Sequence, residues 1–249
     1  FHSLSSAREY GGPPSMYYPI HFWYDSTKQH LADARHRLIL HNMGSIMLSI
    51  KLFGDYTTHP MEDGTIIKAD NYFIGLNHIR EDFGRNIGTE EILAFCANHL
   101  KGSVRKFNQE RALDMLIKKH QGVRSDYKGI SDFFFHFTNW SHDTIQHRVA
   151  ISFLSNSFGI FQLEKMFGTL FTRESDGRVI PTRIIGENYV NGGYGQIPTL
   201  NQILEGVPQR SWMQVNAAAL SFQFDEAQIS NPNKPDIQQR STPYPLPLD

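Results

Sequence analysis

A single cysteine, Cys96, is all the chain contains, which excludes an intrachain disulfide and any zinc site built from several thiolates. Long apolar runs are missing too. No stretch of the sequence approaches the roughly 20 consecutive apolar residues that a bilayer span requires, and no basic-then-apolar leader opens it. Neither sign of charge is in excess: 24 Lys and Arg face 25 Asp and Glu, a formal net charge of −1, so no global positive field draws nucleic acid by counterion release. Nucleotide and acyl-transfer signatures are lacking as well. There is no phosphate-cradling Gly-x-x-x-x-Gly-Lys, no Gly-x-Gly-x-x-Gly behind a strand and no Gly-x-Ser-x-Gly elbow. These absences lead us to expect a soluble protein of a reducing compartment, bound to neither membrane nor nucleic acid and needing no organic cofactor.

What is present is a globular composition, 40% hydrophobic and 20% charged over 249 residues, enough for one large domain or two small ones. The chain also repeats itself. Gly12, Tyr17 and Ile20 match Gly122, Tyr127 and Ile130, and His36-Arg37 matches His147-Arg148. Phe53-Gly54, Asp63-Gly64, Ile74-Gly75, Asn77 and Gly84 recur in order as Phe167-Gly168, Asp176-Gly177, Ile185-Gly186, Asn188 and Gly195. The offset grows by about three residues between the His-Arg and Phe-Gly pairs, roughly one helical turn, which points to an extra turn or a π-bulge in the second copy.

Each copy reads as mainly α with one small β-hairpin, and the whole as a tandem, pseudo-symmetric duplication. A long helix is expected over about 26–53 and again over about 141–167, with Ser26 and Ser141 as N-caps and Gly54 and Gly168 just past the C-termini. Asp63-Gly64 and Asp176-Gly177 lie between β-prone runs and predict hairpins. A short helix over about 77–82 follows. Thr89 and Thr199 are expected to open the next helices, Thr199 with Gln202 at capping-box spacing. Gly192-Gly193-Tyr194-Gly195 reads as a turn. The expected organisation is a first repeat over 1–102, a helical linker over 103–121, a second repeat over 122–215 and a Pro-rich extended arm over 216–249.

The first copy, with Tyr17-x-x-Ile20-His21-x-Trp23 and then Asp33-x-x-His36-Arg37-x-x-x-His41, resembles an uncharacterised domain family found in phages and bacteria. The second copy resembles the later part of that family's pattern, in Asp176-Gly177, Arg183, Ile185-Gly186-Glu187, Gly195-Gln196-Ile197-Pro198-Thr199 and Trp212-Met213. The resemblance covers nearly all of residues 1–215 and implies a shared fold, with no function to carry over. Where the family has Gly-Glu-Gln-His-Val, the copies read Gly75-Leu76-Asn77-His78-Ile79 and Gly186-Glu187-Asn188-Tyr189-Val190.

The candidates for chemistry are the histidines of the first copy. His36, His41 and His78 with Asp33 or Asp82 are the candidate metal ligands, with His21 and Glu81 close by in sequence; imidazole and carboxylate together suit a divalent ion that polarises water. The second copy puts Ser131 at the place of His21, Ser152 or Ser155 at that of His41 and Tyr189 at that of His78, so it cannot hold such an ion. His147, Arg37, Arg148, Gly54 and Gly168 are read as structural, the arginines bracing loops through carboxylate or carbonyl contacts. Two functions compete. The leading expectation is a non-enzymatic assembly protein, a phage virion component in the virion or host cytoplasm, bound to neighbouring protein subunits and oligomeric. The alternative is a metal-dependent hydrolase whose His/Asp site lies in the first repeat.

Overall fold

The computed structural model describes residues 1–100 and 104–214; the arm expected over 216–249 lies outside them. The first unit starts with α1 (His2–Tyr10) and α2 (Pro14–Asp25), followed by 3-10 turns at Ser26–Gln29 and Ala34–His36. Then come α3 (Arg37–Leu40), α4 (Met43–Phe53), a hairpin of β1 (Tyr56–Pro60) and β2 (Ile66–Asp70), α5 (Asn71–Phe83) and α6 (Thr89–Leu100). The second unit repeats this order with α7 (Gln109–His120), α8 (Lys128–Phe134), α9 (Thr144–Leu154), α10 (Ser157–Phe167), β3 (Leu170–Thr172), β4 (Val179–Pro181), α11 (Thr182–Tyr194) and α12 (Leu200–Ile203). A last 3-10 turn, Ser211–Met213, closes the described chain. This is the mainly helical, twice-repeated fold with a hairpin in each copy that the sequence led us to expect.

The long helix of each copy is two helices, and one asparagine makes each break. Asn42 donates from Nδ2 to the carbonyls of Leu38 and Ile39 and accepts at Oδ1 from the amides of Gly44 and Ser45. A single side-chain amide thus satisfies the end of α3 and the start of α4. Asn156 does the same between α9 and α10, bonding Ser152 and Phe153 on one side and Phe158 and Gly159 on the other. Five residues separate Arg37 from Asn42 and eight separate Arg148 from Asn156, so α9 carries the extra turn. Ser26 and Ser141 are not caps: their hydroxyls donate to the Trp23 and Thr138 carbonyls, and Asp143 caps α9 instead. Replacing Asn156 with Ala should cost about 1–2 kcal/mol, read as a lowered midpoint in urea with an unchanged slope.

Both hairpins form at Asp-Gly as expected, with Tyr56 opposite Asp70 and Leu170 opposite Pro181 at their bases. The helix that follows is longer than 77–82, because Asp70 caps it from the strand end and Gly84, in the left-handed conformation, stops it. Its counterpart α11 runs to Tyr194 and stops at left-handed Gly195, so Gly192 and Gly193 lie inside a helix and not in a turn. Helix α7 is the counterpart of α1. It packs on α11, with Ala112 and Met115 against Gly192.

One apolar core runs through both units. Trp23 donates from Nε1 to Gln162 Oε1 at 2.7 Å, and the His136 ring donates from Nε2 to the Gly44 carbonyl at 2.9 Å. Phe137 packs over Gly44, where a side chain would crowd its ring. Among the described residues no helix is long and apolar enough to cross a membrane.

Candidate metal centre

The residues that converge come from two helices of the first unit, α2 and α5, and from the break between α3 and α4. Asp25 ends α2, His41 stands at the break after α3, and His78 and Asp82 sit one turn apart on α5. His41 reaches the cluster because it lies at the helix break, with φ −109° and ψ 55°; in an unbroken helix the same side chain would point elsewhere. A metal-ligating atom from each of the four lies within 4.8 Å of those of the other three. His41 Nε2 is 2.8 Å from Asp82 Oδ2, 3.1 Å from His78 Nε2 and 3.7 Å from Asp25 Oδ1, and His78 Nε2 is 3.9 Å from Asp82 Oδ2. Ligands about 2.0–2.2 Å from a tetrahedral zinc are about 3.3–3.6 Å apart, and these separations straddle that value.

His41, His78 and Asp82 are buried, whereas Asp25 keeps 26% of its side chain in solvent and pairs with exposed Lys28 at 2.6 Å. The open side of the cluster is therefore at Asp25. Burial pushes the Asp82 carboxyl up, but hydrogen bonds from His2 and His41 outweigh it and hold its pKa well below the usual carboxylate range. Burial acts on Asp25 in the same sense and is outweighed by His41 and Lys28, so it too is ionised. Burial keeps His78 neutral, and it lowers His21 to about 3. Two ionised carboxylates and neutral imidazole are the protonation states a divalent ion takes.

Around this group stands a second ring of polar contacts. Arg37 donates from Nε to Asp82 Oδ2 at 3.0 Å and from Nη1 to the Met213 carbonyl at 2.9 Å. It braces both a carboxylate and a loop, and the loop is the end of the second unit. Trp212 there packs on Phe83 and Phe95. His2 contacts Asp82 Oδ1 at 3.3 Å and Glu81 at 2.5 Å; burial lowers its pKa, but these two carboxylates win and raise it to about 9. On the far side of His78, His21 Nδ1 lies 2.9 Å from His78 Nδ1, and Ser6 Oγ lies 2.8 Å from His21 Nε2.

Of the ligands proposed from sequence, His41 and His78 enter the cluster and His36 and Asp33 do not. Asp33 caps the turn at Ala34–His36 and pairs with Arg35, while His36 points Nδ1 back to the Asp33 carbonyl. Asp82, the alternative to Asp33, is in the cluster, and Asp25 and His2 were missed because neither sits at a motif spacing from another candidate. His147 is exposed and shares a hydrogen bond with Ser141, Arg148 is half-buried, and Gly54 and Gly168 take φ of 82° and 79° at their helix ends.

The second unit preserves the framework and replaces the chemistry. By the repeat register, Phe135 stands for Asp25, Ser155 for His41, Tyr189 for His78, Gly193 for Asp82 and Ala112 for His2. The ring stack of Tyr24 on His78 becomes that of Phe134 on Tyr189. Phe107 fills what remains, against Phe135, Tyr189 and Tyr194. A Cβ at Gly193 would overlap the Phe107 ring, so no acidic side chain fits there.

A family model described as Domain of unknown function (DUF6915) matches residues 1–107 and again residues 110–213. The second match takes in α7. No curated protein and no solved structure matches the chain.

Proposed function

The chain belongs, in both of its units, to the family described as Domain of unknown function (DUF6915), and on that premise we propose that it is a metal-dependent hydrolase with one site, in the first unit. His41, His78 and Asp82 hold a divalent ion of the zinc, manganese or iron class, and Asp25 stands on the solvent side as fourth ligand or base. Imidazole and carboxylate together suit those ions. An ion held there supplies a Lewis acid and a water of lowered pKa. The observation that carries this reading is the contrast between the units: four ligand atoms meet at metal-bonding separations in one, and an aromatic plug stands at the same place in the other. The second unit is then a support, closing the first through Met213 and Trp212.

The assembly role expected from the sequence rests on the architecture kept by both repeats, on the lack of a catalytic motif and on the arm over 216–249, which lies outside the described residues; this geometry adds nothing to it.

Metal titration by calorimetry tests the proposal, with zinc, manganese and iron(II) each added to chelator-treated protein. We expect one ion per chain, not two. Metal at 100 times its Kd should stabilise the fold by about 2.7 kcal/mol. His78→Ala should lose the ion and His36→Ala keep it. The loaded chain, unlike His78→Ala, should hydrolyse activated esters or phosphodiesters such as p-nitrophenyl acetate and bis-p-nitrophenyl phosphate. Absence of binding by all three ions would overturn the metal centre, and binding without turnover would overturn the hydrolase.

A further inference from the structure

We infer that His21, held by Ser6, is the positioning residue of this centre: it accepts the Nδ1 proton of His78 and so aims the bare Nε2 of His78 at the ion. The inference rests on the metal-centre reading above and adds to it an order of hydrogen bonds. Three imidazoles stand in line, with His21 Nδ1 to His78 Nδ1 at 2.9 Å and His78 Nε2 to His41 Nε2 at 3.1 Å. Each nitrogen–nitrogen contact needs one N–H and one lone pair. Neutral His78 has a single N–H, so the direction of the line is decided at one atom.

With the proton on Nδ1, His78 donates to His21 and keeps the Nε2 lone pair for a ligand bond. With the proton on Nε2, His78 donates to His41 and neither His78 Nε2 nor that lone pair of His41 serves a metal. Asp82 selects the first order: its ionised carboxylate can only accept, so His41 carries its proton on Nε2 toward Asp82 Oδ2 at 2.8 Å, and the His78 Nε2 beside it at 3.1 Å is bare. His78 then carries its proton on Nδ1 toward a bare Nδ1 of His21, and His21 gives its own Nε2 proton to Ser6 Oγ at 2.8 Å. A metal-bound histidine that gives its other N–H to a fixed partner is the usual outer-shell device, and losing the partner weakens metal affinity about 10–100-fold.

The second unit bears independently on this pairing. At the positions of His21 and His78 it carries Ser131 and Tyr189, joined by a hydrogen bond of 2.8 Å between their hydroxyls. The two positions are linked in both units, and where the ligand is gone its partner is exchanged with it. Leu116 stands at the register position of Ser6, so the third member is gone too.

Four proteins decide the matter: the full chain and its His21→Ala, His21→Asn and Ser6→Ala variants. An asparagine places its amide oxygen close to where the histidine Nδ1 stood and can accept the same proton. We expect zinc to bind His21→Ala at one ion per chain but about 10–100-fold more weakly, with His21→Asn recovering most of the loss and Ser6→Ala falling between. Long-range nitrogen–proton NMR of the imidazoles, which reads tautomers with and without zinc, should show the Nδ1–H form of His78 in the full chain and in His21→Asn, and a mixture in His21→Ala. Wild-type affinity in His21→Ala, or an Nε2–H tautomer of His78 in the full chain, overturns the role of His21 while leaving the metal centre in place. Failure of the full chain to bind zinc, manganese or iron overturns both.

Discussion

Replacing Asp82 with Ala should remove metal binding altogether and lower the thermal midpoint by about 6–20 °C. The size follows from what the carboxylate holds. Asp82 accepts from buried Arg37 at 3.0 Å and from buried His41 at 2.8 Å, and it faces His2 at 3.3 Å. Without it the Arg37 guanidinium keeps the Met213 carbonyl but has no counter-charge. Breaking a buried pair from one side costs about 3–5 kcal/mol, and in a chain of this size each kcal/mol moves the midpoint by about 2–4 °C. Asp82→Asn retains an acceptor for Arg37 and should lose less stability, yet it should bind metal as poorly, because the amide lacks the charge. Differential scanning calorimetry beside elemental metal content separates the two effects. Metal retained by Asp82→Ala would place the ion outside this cluster.

The elements that a short stretch of sequence specifies are legible in that stretch alone. Asp-Gly needs only its own turn and two β-prone flanks, Gly54 and Gly168 answer a local demand for positive φ, and Thr199 and Gln202 form the expected capping box. The broken helix is not legible from apolar spacing, which continues through His41-Asn42 and Ser155-Asn156 without a proline or glycine at the joint. The signal is the recurrence of an asparagine at both joints, each filling the role of cap for two helices. Ser26 and Ser141 fail as caps for a related reason: both hydroxyls satisfy carbonyls behind them.

The site divides in the same way. Residue type points to histidine, and His41 and His78 are in the cluster, but proximity in sequence puts Asp33 and His36 with them. Asp33 spends its carboxylate on Arg35 two residues away, a local contact that competes with any distant one. Asp25 and His2 are brought to Asp82 and His41 only by the packing of α1 and α2 on α5, which no spacing encodes. The second copy is the better guide. Its losses at the positions of His21, His41 and His78 match residues that meet in space, whereas His36, which it keeps as His147, stands outside the cluster.

Phe107→Ala should separate the two units' roles from the opposite side. The ring is buried against Phe135, Tyr189 and Tyr194 at 5.9, 5.5 and 5.0 Å between centroids, and truncating such a residue costs about 3–5 kcal/mol. Its place in the repeat is the one the metal group takes in the first unit, so the loss should appear in denaturant melts while metal stoichiometry below the transition stays at one per chain. Gly193 supplies the internal control. On its own Gly193→Ala drives a methyl into the Phe107 ring and should cost about 1–3 kcal/mol by overpacking. In the Phe107→Ala background the clash is gone, and the same change should be neutral or stabilising by up to about 1 kcal/mol, since alanine is the better helix former. A coupling of that sign in the double-mutant cycle would establish that the Phe107 ring occupies the space a side chain at Gly193 would need. Additive costs would mean that Phe107 and Gly193 are independent, and the aromatic plug would no longer account for the absence of a second site.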